Sequence, residues 1–174
     1  MFSVAAPCQV KEIIDRNIPL IKNIPSAPCP AGDLKSINKK NKEFRKKNPE
    51  FNEILLLDTL AIPYLIDKIS DTTETTIQIT CITYKLKNGD VAFELLKEII
   101  FIPMYAVSHQ QWDLLYGCDS LCDYMYYLSH DRLKFQTELK TFFESQNGKI
   151  WLRLFYKKLS KTERADLMKK LNFN

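Results

Sequence analysis

Three features of this sequence predict an α+β fold in a single domain, an antiparallel sheet with packed helices behind a flexible Pro-rich N-terminal tail. Thr75–Met104 joins the densest apolar pattern to Asn88-Gly89, a dipeptide whose residues tolerate the positive φ of a type I′ turn. Residues 105–148 and the C-terminal stretch from Ser160 repeat apolar side chains at helical spacing. Five of the eight prolines, Pro7, Pro19, Pro25, Pro28 and Pro30, fall within residues 1–33 and interrupt regular structure there. The domain reading is therefore a flexible tail over 1–33, a basic arm over 34–50 and a globular α+β domain over 51–174.

In chain order, Val10–Ile14 suits a short amphipathic turn, and Asn23–Asp33 reads as an extended linker because each proline biases its predecessor away from helix. The linker holds Pro25-Ser26-Ala27-Pro28, which matches the late-domain tetrapeptide with which enveloped viruses recruit host budding factors. Short proline motifs bind because their extended conformer is already populated. Next comes the charge anomaly: Lys35, Lys39, Lys40, Lys42, Arg45, Lys46 and Lys47 stand against Glu43 alone. Such a run attracts the phosphates of nucleic acid or of anionic lipid, and Ile37 and Phe44 are interleaved as apolar anchors. A solvated basic arm is the alternative.

Phe51–Ile69 is apolar enough to be core, but its pattern fits a strand or a helix that Pro63 would strain. Ser70–Thr76 is a polar connection. Folding across Asn88-Gly89 then pairs Leu86 with Val91, Tyr84 with Phe93 and Ile82 with Leu95 on one pleat face. The competing reading starts a helix after Asp90, since Val91, Leu95 and Ile99 recur at i, i+4, i+8. Tyr105–Leu128 reads as helix broken near Gly117. Leu133, Leu139, Phe142 and Phe143 mark another helix, stopped at Asn147-Gly148. Ile150–Tyr156 alternates as a strand. The last helix opens with Ser160 and Glu163 at capping-box spacing and faces Ala165, Met168 and Leu171 inward.

Composition narrows the function classes. With 45% hydrophobic residues, ten Phe and four Gly, the chain suits a packed core and offers few places for backbone to wrap a cofactor. Five cysteines leave one unpaired in any disulfide scheme, which favours reduced thiols. No basic and apolar leader opens the sequence, and the longest mainly apolar run, Ile99–Val107, contains Pro103 and falls short of the about 20 residues a spanning helix needs. His109, Cys118, Cys122 and His130 are the one set able to ligate zinc, although the Cys118-x3-Cys122 spacing equally suits buried thiols one helical turn apart. A Cys-His nucleophile would need Asp113 or Asp131 as its orienting acid. No phosphate-binding glycine loop, HExxH or GxSxG supports an enzyme, and no cofactor is expected.

The Pro-Ser-Ala-Pro tail, the neighbouring basic stretch and Ala106-Val107-Ser108-His109 followed by Trp112-Asp113 and Tyr116-Gly117 resemble a rhabdovirus-type viral matrix protein. Gln110 and Gln111 interrupt that stretch, a Pro-Pro-x-Tyr motif is absent, and the basic run follows the tail instead of leading it. The resemblance implies a non-enzymatic structural protein of the virion, found in host cytoplasm and at the inner face of host membranes. Its partners would be an anionic membrane surface, viral nucleocapsid or RNA, itself in a homo-oligomer, and host budding factors. The alternative is a small RNA-binding accessory protein, zinc-stabilised or not, using the same lysines on phosphate and aromatic rings on bases.

Overall fold

The computed structural model describes residues 6–24, 42–79, 84–109, 127–156 and 160–171, with the side chains of 155 and 156 excepted. It is a single α+β domain, mostly helical, with one two-stranded antiparallel sheet among the described residues.

The N-terminal segment read as a tail in fact begins the core. Helix α1 (Pro7–Asn17) places proline at its first turn, where the missing N–H costs nothing, and Gln9 Oε1 accepts from Ala6 N–H at 3.0 Å. Val10 and Ile14, one turn apart, are buried, as are Ile18 and Ile21 on and beyond the 3₁₀ turn Ile18–Leu20. Four side chains removed from water make residues 7–21 part of the domain. Residues 42–47 are helical. The open reading of Phe51–Ile69 resolves to helix: α2 (Pro49–Leu55), a 3₁₀ turn (Asp58–Ala61) and α3 (Ile62–Lys68). Pro63 lies in the first turn of α3 and strains nothing there. Asp58, which opens the 3₁₀ turn, takes φ 52°.

The hairpin forms earlier than Asn88-Gly89. Strand β1 (Glu74–Ile79) pairs with β2 (Tyr84–Lys87) in the register Glu74 to Lys87, Gln78 to Lys85 and Ile79 to Tyr84. Asn88-Gly89 opens helix α4 (Asn88–Ile99) instead of turning, and the competing helical reading of Val91, Leu95 and Ile99 holds. Two causes decide this. Asp90 accepts from Lys87 N–H at 2.6 Å, and the Asn88 and Gly89 N–H groups donate to Thr73 O (2.9 Å) and Asp71 O (3.0 Å), so the orphan donors of a helix start are satisfied. Val91, Ala92, Phe93, Leu95 and Leu96 are all buried, which a helix wrapped by neighbours achieves and an alternating strand with one solvent face does not. The expected pairs of Leu86 with Val91 and Tyr84 with Phe93 are therefore not strand neighbours. Ile82 lies outside the described residues.

Helix α5 (Met104–Ser108) ends at His109, whose φ of 55° is the left-handed conformation common at helix C-termini. Residues 127–130 are helical, and the helix expected between 110 and 126 lies outside the described residues. Helix α6 (Arg132–Glu144) is capped by Asp131, which accepts from Lys134 N–H at 3.0 Å. Phe135, Leu139, Phe142 and Phe143 are buried while Leu133, expected inside, is 66% exposed. Asn147-Gly148 does not stop that helix. The chain turns at Ser145, and Asn147 and Gly148 sit in the first turn of α7 (Gln146–Tyr156), so Ile150–Tyr156 is helix and not strand. Ile150 and Leu154, one turn apart, bury together with Leu167 of α8 (Lys161–Lys170). The Ser160 and Glu163 box is present, with Ser160 Oγ accepting from Glu163 N–H at 3.2 Å and Glu163 Oε2 accepting from Ser160 N–H at 2.9 Å. The inward face of α8 is Leu167 with half-buried Leu171. Ala165 and Met168 face out, because among the described residues the apolar packing of α8 is against Ile150 and Leu154 of α7 and needs only a narrow stripe.

Candidate functional site

The C-terminal end of the basic run folds onto the body as helical residues 42–47, and two side chains fix it. The Phe44 ring meets Phe51 of α2 edge to face, with centroids 5.3 Å apart. Arg45 Nη2 donates to Glu98 Oε2 of α4 at 3.0 Å. Asn48 closes the segment by donating its side-chain amide to Phe44 O at 2.8 Å. Phe44 and Arg45 turned inward leave Lys42, Lys46 and Lys47 exposed, with Lys42 and Lys46 one turn apart on the same side. None of these three lysines has an ion pair among the described residues. Phe44, expected as a membrane anchor, is half-buried in the protein, and Arg45 is engaged by a carboxylate. Lys35, Lys39 and Lys40, and the tetrapeptide Pro25, Ser26, Ala27 and Pro28, lie outside the described residues.

Of the four possible metal ligands, His109 and His130 are exposed, one at the end of α5 and the other just before α6, and Cys118 and Cys122 lie outside the described residues. Among the described residues no three metal-ligating side chains converge. Asp131 is used as the α6 cap. Asp113, Trp112, Tyr116 and Gly117 lie outside the described residues, while Ala106, Val107 and Ser108 belong to α5. No helix among the described residues is long and apolar enough to cross a membrane.

The sequence reading missed a buried polar cluster. Arg132 Nη2 lies 2.6 Å from Asp90 Oδ1, with both side chains nearly or fully buried. One turn along α4, Glu94 is 7% exposed and its Oε1 lies 2.7 Å from Lys97 Nζ. Burial pushes the Glu94 carboxyl above the ordinary range, against the pull of Lys97 and with help from the like charges of Glu98 and Asp90. Near the same helix pair Tyr127 donates to Glu138 Oε2 at 3.1 Å, and burial together with that carboxylate pushes its hydroxyl up to about 12. Of these contacts the Asp90–Arg132 pair ties α4 to α6. Asp90, three residues after Lys87 at a helix start, was the legible signal.

A second feature is a half-open cavity of about 420 Å³ between α3, α6 and α7. Its floor is apolar, made by Ile62, Pro63, Ile66, Phe143 and Leu152. Its rim carries Asp67, Glu144, Lys140 and Arg153, of which Lys140 reaches Asp67 at 3.2 Å. No family model, curated protein or solved structure matches this chain.

Proposed function

We propose that this protein is a non-enzymatic structural adaptor of the viral matrix type. It attaches through its basic segment to the anionic inner face of a host membrane and links viral nucleocapsid to that surface in the virion. One observation carries the reading. Phe44 and Arg45 dock the helical end of the basic run and leave Lys42, Lys46 and Lys47 exposed to solvent. A docked helix presents its charges without the ordering cost that a free arm would meet on binding. The motif resemblance supports the same class, since it joins a late-domain tetrapeptide to a basic stretch. Self-association would add avidity to an attachment that is weak per copy, and the tetrapeptide would supply the contact to host budding factors.

Near an anionic bilayer each lysine contributes about 1 kcal/mol, so three replaced together weaken binding by about two orders of magnitude. The test is flotation with anionic and neutral liposomes across a salt series, with Lys42, Lys46 and Lys47→Gln beside the wild type. The expected result is salt-sensitive flotation with anionic vesicles alone, lost in the variant. If the folded wild type stays at the bottom of the gradient and instead retards single-stranded RNA, the membrane reading is overturned in favour of RNA binding.

A further inference from the structure

We infer that the groove between α3, α6 and α7 is a self-association surface whose occupant is a second copy of this chain. The floor is apolar and half open, so it holds apolar side chains that enter from outside. The Asp58–Ala61 turn forms one wall through Thr59, and it carries Leu60 at 43% exposure, shortly after Leu56 at 76%. Two exposed leucines thus lie within three residues of the lining residue Thr59 in sequence. Large leucines left in water so near an apolar groove mark an interaction surface more than an ordinary exterior.

The rim selects the occupant. It bears two acids, Asp67 and Glu144, and two bases, Lys140 and Arg153. Glu144 and Arg153 have no ion pair among the described residues. A polyanion would meet the two carboxylates, and an apolar anion would leave Leu56 and Leu60 in water. A two-fold contact answers both features at once, because it sets Glu144 of one copy against Arg153 of the other and the exposed leucines of each against the floor of its mate. The surface would supply the self-contact that an avid attachment uses, yet it requires no membrane.

Sedimentation velocity of the full chain over a concentration series, without lipid, tests this. The wild type is expected to move reversibly to twice the chain mass. Leu60→Asp, a change at an exposed position, is expected to weaken association at least about tenfold, as truncation of a buried interface anchor does. Arg153→Glu gives the rim a surplus of acid and Glu144→Arg a surplus of base, so each variant alone is expected to stay monomeric and their mixture to associate. A wild type that is monomeric throughout, association unaffected by Leu60→Asp, or charge variants that do not recover on mixing would each overturn the inference. Because vesicles are absent, failure here and failure of the membrane reading are separate results.

Discussion

At Glu94 burial and pairing pull in opposite directions. Water is excluded from the carboxyl, which raises its affinity for a proton, while Lys97 at 2.7 Å favours the charged form. Burial prevails, so the folded state holds this proton to higher pH than the unfolded chain does, whose group titrates near 4.5. The linkage sign follows: the contribution is fully present below the unfolded pKa and is lost as pH rises through the folded one. Glu94→Gln removes the titration while keeping the shape. Urea midpoints of both proteins, measured stepwise upward from pH 4.5, are expected to converge or cross because the wild type loses stability relative to the variant. An offset independent of pH would show that the carboxyl does not titrate in this range. The buried Asp90–Arg132 pair is a different case. Each charge is matched, so the pair tells against removing one partner more than it adds to stability.

At the scale of elements, Gly89 explains why a sequence that advertises a turn builds a helix start. A Cβ at that position would lie 2.1 Å from Ile69 O and 3.0 Å from Asp71 O, so the glycine is required for close approach between the first turn of α4 and the end of α3. Asp71 sits at this junction. Burial works against its charge, but hydrogen bonds from Thr73 and Asn88 and the nearby Lys68 outweigh it and hold its carboxyl below the ordinary range. Gly89→Ala is expected to cost about 1–3 kcal/mol, the usual range for overpacking at a site that cannot open without moving backbone. The check is the denaturant midpoint at unchanged slope. A loss within a few tenths of a kcal/mol would mean that the α3 to α4 junction yields easily. The same logic makes Asn147-Gly148 part of α7, since a Cβ on Gly148 would meet Phe142 O at 2.1 Å. Both dipeptides carry turn chemistry, and both are used to bring two helices together.

For the whole molecule, the consequence with the largest effect concerns its N-terminus. Val10, Ile14, Ile18 and Ile21 are each no more than 2% exposed. Burying one such side chain is worth about 1.5–3 kcal/mol, and four together rival the roughly 5–15 kcal/mol by which a domain is stable. A chain beginning at Lys22 is therefore expected to lose cooperative unfolding and near-ultraviolet circular dichroism, whereas a detachable tail would leave both unchanged. This bears on the proposed function as well. A truncation intended to remove only the proline-rich segment would unfold the protein and would report falsely on membrane binding.

What the sequence determined by itself was local: the charge run ending at Lys47, the Ser160 and Glu163 cap, the helical stripe through Leu139, Phe142 and Phe143, and the apolar character of Phe51–Ile69. Each depends on neighbours within a turn or two. The mixed α+β class was read from a hairpin across Asn88-Gly89, and it holds although the strands that pair are Glu74–Ile79 and Tyr84–Lys87. Tertiary structure decided the rest. Val91–Leu96 and Ile150–Leu154 are short apolar runs whose pattern fits helix and strand alike, and they became helices because neighbours enclose them on several sides. Phe44 looked like a free anchor until Phe51, seven residues on and past the helix break at Asn48, met its ring edge to face. The buried Asp90–Arg132 pair joins residues 42 positions apart, and the groove lined by Ile66, Phe143 and Leu152 is walled by helices from both halves of the chain. Contacts of that kind arise from the packing of complete elements, so no window along the sequence contains them.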